Sequence, residues 1–443
     1  MDSLQNPSPR LQPNSRIAVI GGGPAGSFFA LHALDSAKKL GLPLQITLFE
    51  RKDLTAPGPR GCNMCAGILS RRTLWGIAAL DIAIPPEVVM GRVRAYRLHW
   101  GNHSMPIHPP DPAPQVLSVY RAGGPRTSPY APMAGFDAFL LDHAQARGAR
   151  MIRERVERVS FDPLPRVQTN AREEIFDLVV LACGVNATPP LFERVGYLPP
   201  TTETMAQDAL LIGDSGARAR MDSTVHIYFD QPRELIFGAL IPKRQFATVS
   251  LLGRRMARDI IHQFLSQPEV LRVVGDAPPQ MCGCRPRAAI GSARDYFADR
   301  FVAVGDACVT RLYKDGIGSA LVTARAAAQV ALRHGITRDA FAAHYAPVCR
   351  AIERDNRFGR AVFEITERTK RSPALMGAIV RALEREAHQP AREKIVSQIL
   401  WSLFTGDASY EEIFKSMFKP RAVARIAREW LEEMRKSGKA RAE

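Results

Sequence analysis

The sequence has no long hydrophobic run. None of its 443 residues falls in an apolar stretch near the ~20 residues that span a bilayer. The opening, Met1 to Ser15, is polar and proline-rich and lacks the apolar segment of a signal peptide. These absences read as a cytoplasmic protein with a short flexible tail over 1–15. There is no P-loop, no Ser/His/Asp motif and no internal repeat. The ten histidines show no metal-ligand spacing. His99, His103 and His108 cluster loosely on a strand and a proline-rich loop, and they read as solvated or structural. Runs of basic residues are missing too. Lys and Arg number 60 against 44 Asp and Glu, a formal net charge of +16, yet the excess is spread along the chain. Such a surface attracts anions in general. With no nucleic-acid motif present, the reading is that nucleic acid is not a partner.

Seven cysteines are present. They are Cys62, Cys65, Cys183, Cys282, Cys284, Cys308 and Cys349. An odd count in a long chain without a secretion signal argues against a disulfide framework and turns attention to redox or metal chemistry.

What is there is an ordered alternation of strands and helices. Arg16 to Ile20 is a short β-branched run entering a glycine turn. Ser27 to Leu40 has helical apolar spacing, and Gln45 to Glu50 is a second strand. This β-turn-α-β unit opens a doubly wound sheet. Val93 to Trp100 and Gln115 to Tyr120 read as strands and Ala138 to Gly148 as a helix. Leu178 to Ala182 is a continuous apolar strand of the kind buried in parallel sheets. Val225 to Phe229, Leu235 to Leu240 and Ala247 to Leu252 read as an inserted antiparallel sheet. Phe301 to Val304 returns to a buried strand, followed by an alanine-rich helix, Ser319 to Leu332. From Thr337 onward the pattern is almost wholly helical.

Gly21, Gly23 and Gly26 form G-x-G-x-x-G between the first strand and the first helix. Gly21 permits the tight turn and Gly23 lets backbone approach a pyrophosphate at the helix N-terminus. Gly26 allows close helix–strand packing. Glu50 ends the second strand, 24 residues beyond Gly26, where a carboxylate can accept from ribose hydroxyls. Arg51 beside it joins the cofactor-binding set. NAD and FAD share this fingerprint.

Two later segments bear on that choice. Asp177-Leu-Val-Val-Leu-Ala-Cys-Gly184 is an acid, an apolar strand and a glycine turn. Arg300-Phe-Val-Ala-Val-Gly305-Asp306-Ala307 is a strand ending in Gly-Asp. With the glycine turn, they resemble the three sequence marks of the FAD-dependent family that contains aromatic hydroxylases and geranylgeranyl reductases. The resemblance covers most of residues 16–335. It implies FAD, with Gly184 and Gly305 at cofactor turns and Asp306 on the ribityl–pyrophosphate part. It also implies that the helix opening near Gly316 and Gly318 points its positive end at the flavin pyrimidine. An arginine in the region of Arg121 is implied against FAD, and Arg126 stands as the other candidate. The family's usual proline before the glycine-rich helix is missing, and Arg311-Leu-Tyr-Lys-Asp315-Gly316-Ile-Gly318 stands there instead.

Arg60-Gly61-Cys62-Asn63-Met64-Cys65-Ala66-Gly67 resembles the Cys-Gly-rich loop of the geranylgeranyl reductases, which lies near the isoalloxazine. Cys62 and Cys65 are therefore catalytic candidates, as proton donors or as a dithiol relay. The other reading is that both are small buried hydrophobes. Cys282-Gly283-Cys284 could approach that loop, and the four thiols would then offer a zinc or iron–sulfur site. The reductases also carry an aromatic cavity motif ending in Phe-Pro. Its nearest match is Phe237-Gly-Ala-Leu-Ile241-Pro242, with Ala239 where an aromatic residue is expected.

The expected architecture is α/β, a Rossmann-type FAD-binding domain with an inserted, mostly antiparallel β-sheet substrate domain and a C-terminal helical region. The FAD-binding domain spans 16–190 and 286–335, with substrate-domain strands near 85–120. The substrate sheet spans 191–285 and the helices 336–443. The expected activity is reduction of a carbon–carbon double bond in an apolar, isoprenoid or lipid-like molecule by hydride from reduced flavin. NAD(P)H or a donor protein would supply the electrons. A flavin monooxygenase, a quinone-linked electron-transfer flavoprotein and a non-catalytic flavin-binding protein are the rivals. The last helix carries an apolar stripe at Val423, Ile426, Ala427, Trp430, Leu431 and Met434 with basic flanks. It reads either as packed on the domain or as a peripheral contact with the inner face of a membrane.

Overall fold

A computed structural model describes residues 9–62, 66–110, 115–213, 216–229, 234–254, 256–275 and 279–439. A six-stranded sheet anchors the first half of the chain. Its order is Phe297–Ala298, Phe301–Ala303, Leu178–Leu181, Arg16–Ile20, Gln45–Phe49, Arg150–Ile152. All neighbours run parallel except the edge hairpin at Phe297–Ala298. The central strands are apolar almost throughout because helices cover the sheet and the side chains of Phe161, Phe176 and Phe192 also pack on it.

Helix Pro24–Leu40 starts with proline in its first turn, where a missing N–H costs nothing. It ends at Gly41, whose φ of 61° and amide close the last turn onto the carbonyls of Ala37 and Lys38. Phe28, Phe29 and Leu31 are fully buried beneath it, each worth about 1.5–3 kcal/mol in burial. Helix Gly316–Arg333 packs beside it, and its run of alanines permits the approach. Both helices begin three residues before the expected starts, because the glycine-rich turns wind directly into the first helical turn.

The second six-stranded sheet has the order Ala206–Leu211, Phe246–Gly253, Leu235–Lys243, Thr224–Tyr228, Ala95–Trp100, His103–Ile107. Its pairs are antiparallel except Thr224–Tyr228 with Ala95–Trp100. Leu235–Lys243 and Phe246–Gly253 are buried at every position. One face packs on short helices through Leu240, Val249, Phe264 and Val270. The other meets the C-terminal helices through Val225, Ile227, Phe237, Trp401 and Phe404. The sheet is thus the middle layer of three.

Two small sheets were not expected, although one contains Leu117–Val119 from the expected strand Gln115 to Tyr120. Val156–Phe161, Pro165–Thr169 and Glu173–Ile175 form an antiparallel meander, joined by Leu191–Phe192. Ile68–Leu69, Leu117–Val119 and Val89–Arg92 form a small sheet after the cysteine loop.

The final helix, Pro420–Lys439, lies on helix Pro373–Ala387. Its inner side takes in only part of the apolar stripe, Ile426. Ala422 and Glu429 are buried, and Glu429 pairs with Arg385 at 3.1 Å. Val423, Trp430, Leu431 and Met434 face outward. The helix packs on the domain, as one of the two readings has it, but only part of the stripe faces inward: Ile426 packs against the C-terminal core beside the Glu429–Arg385 pair. Among the described residues no helix is long and apolar enough to cross a membrane.

Candidate active-site cleft

A cleft of about 300 Å³ runs from the glycine turn to the second sheet. At one end the backbone makes the shape. Gly21 has φ +113°, and a Cβ there would stand 2.7 Å from the Ala182 carbonyl oxygen. A Cβ on Gly26 would stand 1.9 Å from the Gly21 oxygen. Side chains are excluded from both, which leaves the helix N-terminus open to the cleft. Gly21 and Gly23 line it, and Gly26 is the packing residue behind.

Glu50 also lines the cleft. One carboxylate oxygen accepts from the Gly22 amide at 2.9 Å and the other from the Lys52 amide at 2.8 Å. Each oxygen keeps acceptor capacity for a hydroxyl. Arg51 and Lys52 stand alongside, and burial lowers the affinity of Lys52 for its proton. Its ammonium donates to the Cys62 carbonyl at 2.7 Å, pinning the start of the cysteine loop. Gly184 lines the cleft from the turn after Leu178–Leu181, with open space where a Cβ would stand.

Midway, Arg121 and Asp306 face the cleft. Arg121 donates twice to Asp137, at 2.5 and 2.9 Å. Asp137 is wholly buried in the first turn of helix Phe136–Ala146. That fork fixes the guanidinium, a geometry only arginine offers. Burial raises the Asp306 carboxyl, and the charge of Arg121 works against the rise. Arg126, the other candidate, is turned away from the cleft, and its amide donates to the Cys282 sulfur at 3.3 Å. Gly305 takes φ +62°, and a Cβ there would meet Ala25 at 2.7 Å, so the Gly-Asp turn is seated against the first helix.

Gly316 lines the cleft at the start of its helix. The sequence reading missed Asp315, the N-cap, which accepts from the Gly318 amide at 3.3 Å and the Thr73 hydroxyl at 3.0 Å. A Cβ on Gly318 would lie 2.4 Å from that carboxylate, so Gly318 serves the cap. Burial pushes the Asp315 carboxyl up to about 6, against the pull of Arg311. An aspartate before a glycine-rich helix start is a legible cap signal.

The far end is apolar. Val225, Ile227, Phe237, Ala239 and Ile241 project from the second sheet, and Phe404 closes over them from helix Ile395–Thr405. Every second residue of the Phe237–Pro242 segment reaches the cleft. Lys314, also missed, joins this wall. Nothing in the spacing singled it out.

The cysteines divide. From the Cys62–Cys65 loop, Ala66 and Gly67 line the cleft, while Cys62 does not. Cys65 lies outside the described residues. The Cys282 thiol is lowered to about 7, first by its hydrogen bond with Cys284, which is raised in turn. Cys284 also feels the charge of Cys62, so the two segments come to the same side of the molecule. Among the described residues, no three His, Cys, Asp or Glu side chains are grouped to hold a metal. Burial raises Cys183 to about 12, and Cys308 and Cys349 meet each other at 3.5 Å inside the core.

The fold is shared with solved structures of enzymes, among them a flavin-dependent halogenase and a halogenase solved in complex with FAD. One is a geranylgeranyl bacteriochlorophyll reductase-like protein from Thermoplasma acidophilum, at TM-score 0.56 and 15% identity, covering 92% of this chain and 99% of that one. The halogenase PltM superposes at TM-score 0.61 with 13% identity, covering 95% and 96%. The p-nitrophenol 4-monooxygenase PnpA from Pseudomonas putida does so at 0.58 with 15% identity, covering 90% and 99%. At such identities the likeness is one of fold. No protein-family profile and no curated protein sequence matches the chain.

Proposed function

We propose that the protein is an FAD-dependent oxidoreductase that reduces a carbon–carbon double bond of an apolar substrate. One observation carries this reading. A single cleft joins a side-chain-free phosphate cradle to an apolar chamber. FAD fits the residues present. The turn at Gly21 and Gly23, backed by Gly26, takes the pyrophosphate, and Glu50 and Arg51 take the adenosine end. Arg121, Gly184, Gly305 and Asp306 line the middle, and Gly316 meets the flavin end with Gly318 behind it. Reduced FAD supplies hydride there. The chain's part is to hold the alkene in a dry chamber, where exclusion of water protects the reduced cofactor. Cys62 stands off the cleft and is not carried forward as a proton donor; Cys65 remains a candidate, with NAD(P)H or a donor protein as electron source.

Anaerobic reduction by NADH, NADPH and dithionite, followed by mixing with alkenes, quinones and O₂, tests this. Rapid flavin reoxidation by an alkene is expected. A second reading, an NAD(P)H-dependent monooxygenase, is favoured by equally extensive likeness to PnpA. Substrate-stimulated oxygen uptake with no alkene reduction would establish it instead.

The outward Trp430, Leu431 and Met434 also suit a peripheral membrane contact. Changing all three to Ser is expected to reduce binding to anionic vesicles while leaving flavin content unchanged. Equal binding by the variant removes the idea.

A further inference from the structure

Lys314 stands in the apolar chamber with no anionic partner among the described residues. Its ammonium lies 4.5 Å from the Phe237 ring centroid and 5.8 Å from that of Phe404. It has no hydrogen-bond acceptor and no carboxylate among the described residues. Its neighbours are all engaged elsewhere. The Tyr313 hydroxyl donates to Glu203 at 2.6 Å, and Arg311 donates to the carbonyls of Gly406 and Ala408 at 2.7 and 2.5 Å. The Asp315 carboxylate is occupied by Thr73 and the Gly318 amide. Tyr313 and Asp315 both hold positive φ, 58° and 51°, so the bend that presents Lys314 to the cleft is built at some strain.

An ammonium enclosed by protein and lacking a counter-charge is costly, and two aromatic faces offset only part of that cost. Burial, and then Arg311, lower its proton affinity to about 8, so it is charged at neutral pH. The rings that flank it belong to the second sheet and the C-terminal helices, not to the glycine-turn end, so its missing partner enters from the substrate side. One unengaged cation matches a monoanion and not a diphosphate, since Arg311 is held by backbone carbonyls.

We propose that Lys314 binds the carboxylate of an otherwise apolar substrate. This rests on the chamber being the substrate site, and it narrows that site's ligands to amphipathic acids. The carboxylate pairs with the ammonium between Phe237 and Phe404, and the hydrocarbon body lies along Val225, Ile227, Ala239 and Ile241.

The test is calorimetric titration of the flavin-loaded protein with decanoate and with decanol. At pH 7 decanoate is expected to bind at least ten times more tightly. Lys314→Met should abolish the preference, and Lys314→Arg should keep part of it, with the flavin potential unchanged in both. Decanoate affinity should fall about tenfold per pH unit above about 8, as the free ammonium loses its proton, while decanol affinity stays level. The other titratable groups nearby are Arg311, Tyr313, Asp315, Tyr96 and the Asp407 carboxylate that acts on Tyr96, and helix Ile395–Thr405 brings none. Equal binding of the two probes, no binding of either, or a preference that survives Lys314→Met overturns the proposal. So does a shifted flavin potential with the preference intact, which would assign Lys314 to the cofactor. No preference in the wild type, with alkene turnover intact, removes the Lys314 proposal alone. A standing preference without alkene turnover removes the reductase reading alone.

Discussion

The two ends of the cleft are built by different means. At the glycine-turn end the shape comes from backbone, and the residues that make it sit close together in the chain. At the apolar end it comes from side chains delivered by the second sheet, the loop before helix Gly316–Arg333 and helix Ile395–Thr405. The first end tolerates almost no change, because nothing larger than hydrogen fits. The second can be reshaped one side chain at a time. The glycine-turn end can thus stay fixed while the chamber is altered.

The harshest way to break this contrast is at Gly26. A Cβ there meets a backbone oxygen at 1.9 Å, which no rotamer change relieves. Gly26→Val is expected to abolish flavin binding, read as loss of 450 nm absorbance in the purified protein, and to lower the melting temperature sharply. Normal flavin content in this variant would mean that the turn is not the cradle.

Legibility in the sequence follows the same division. Gly21, Gly23, Gly26 and Glu50 are readable because one backbone geometry demands them at one spacing. The buried strands Leu178–Leu181 and Phe301–Ala303 were readable for a similar reason, since a sheet covered on both faces needs apolar residues throughout. Lys314 and Phe404 were not readable. They meet across about 90 positions of chain only because the C-terminal helices fold over the second sheet. The stripe at Val423–Met434 was legible as a helix but not as an orientation, because amphipathic spacing locates a helix face but not its partner. Ile426 and the buried Glu429 turn inward, while Val423, Trp430, Leu431 and Met434 stay exposed.

A milder contrast lies in acid. His99 and His226 sit on the second sheet, hydrogen-bonded to each other at 2.8 Å and stacked near Tyr228. They are structural, as one of the two sequence readings had it for His99. Burial lowers His99 to about 4 and His226 to about 3. Unfolded, both titrate near 6.5. Between those values the unfolded chain takes up protons that the folded one refuses, so stability is full above about pH 6.5 and is lost as pH falls toward 4. His99 alone accounts for roughly 3 kcal/mol at 1.36 kcal/mol per unit. Asp315 acts in the opposite sense, since its raised carboxyl keeps a proton in the folded state between about 4 and 6. Urea denaturation at pH 7.5, 6 and 5 is expected to show a net fall, flattened by changing both histidines to Gln. A flat profile in the wild type would mean that the pair is not held neutral.

The mildest intervention separates the two ends most cleanly. Ala239 faces the chamber from strand Leu235–Lys243, opposite Ile227 on the neighbouring strand. Its side chain is a single methyl group, so the wall is low at this position. Ala239→Phe places a ring in the chamber and leaves the glycine turn, Glu50 and the Arg121–Asp137 pair untouched. Decanol and decanoate affinity should both fall about tenfold, which is about 1.4 kcal/mol. Overpacking should cost no more than about 1–3 kcal/mol of stability. Flavin content should not change, because no atom of the cradle moves. If flavin is lost together with ligand binding, the two ends are one cooperative unit and the chamber is not free to vary. If ligand binding is unaffected, the apolar molecule lies elsewhere, and the wall formed by Phe237, Ala239 and Ile241 is only the inner lining of the sheet.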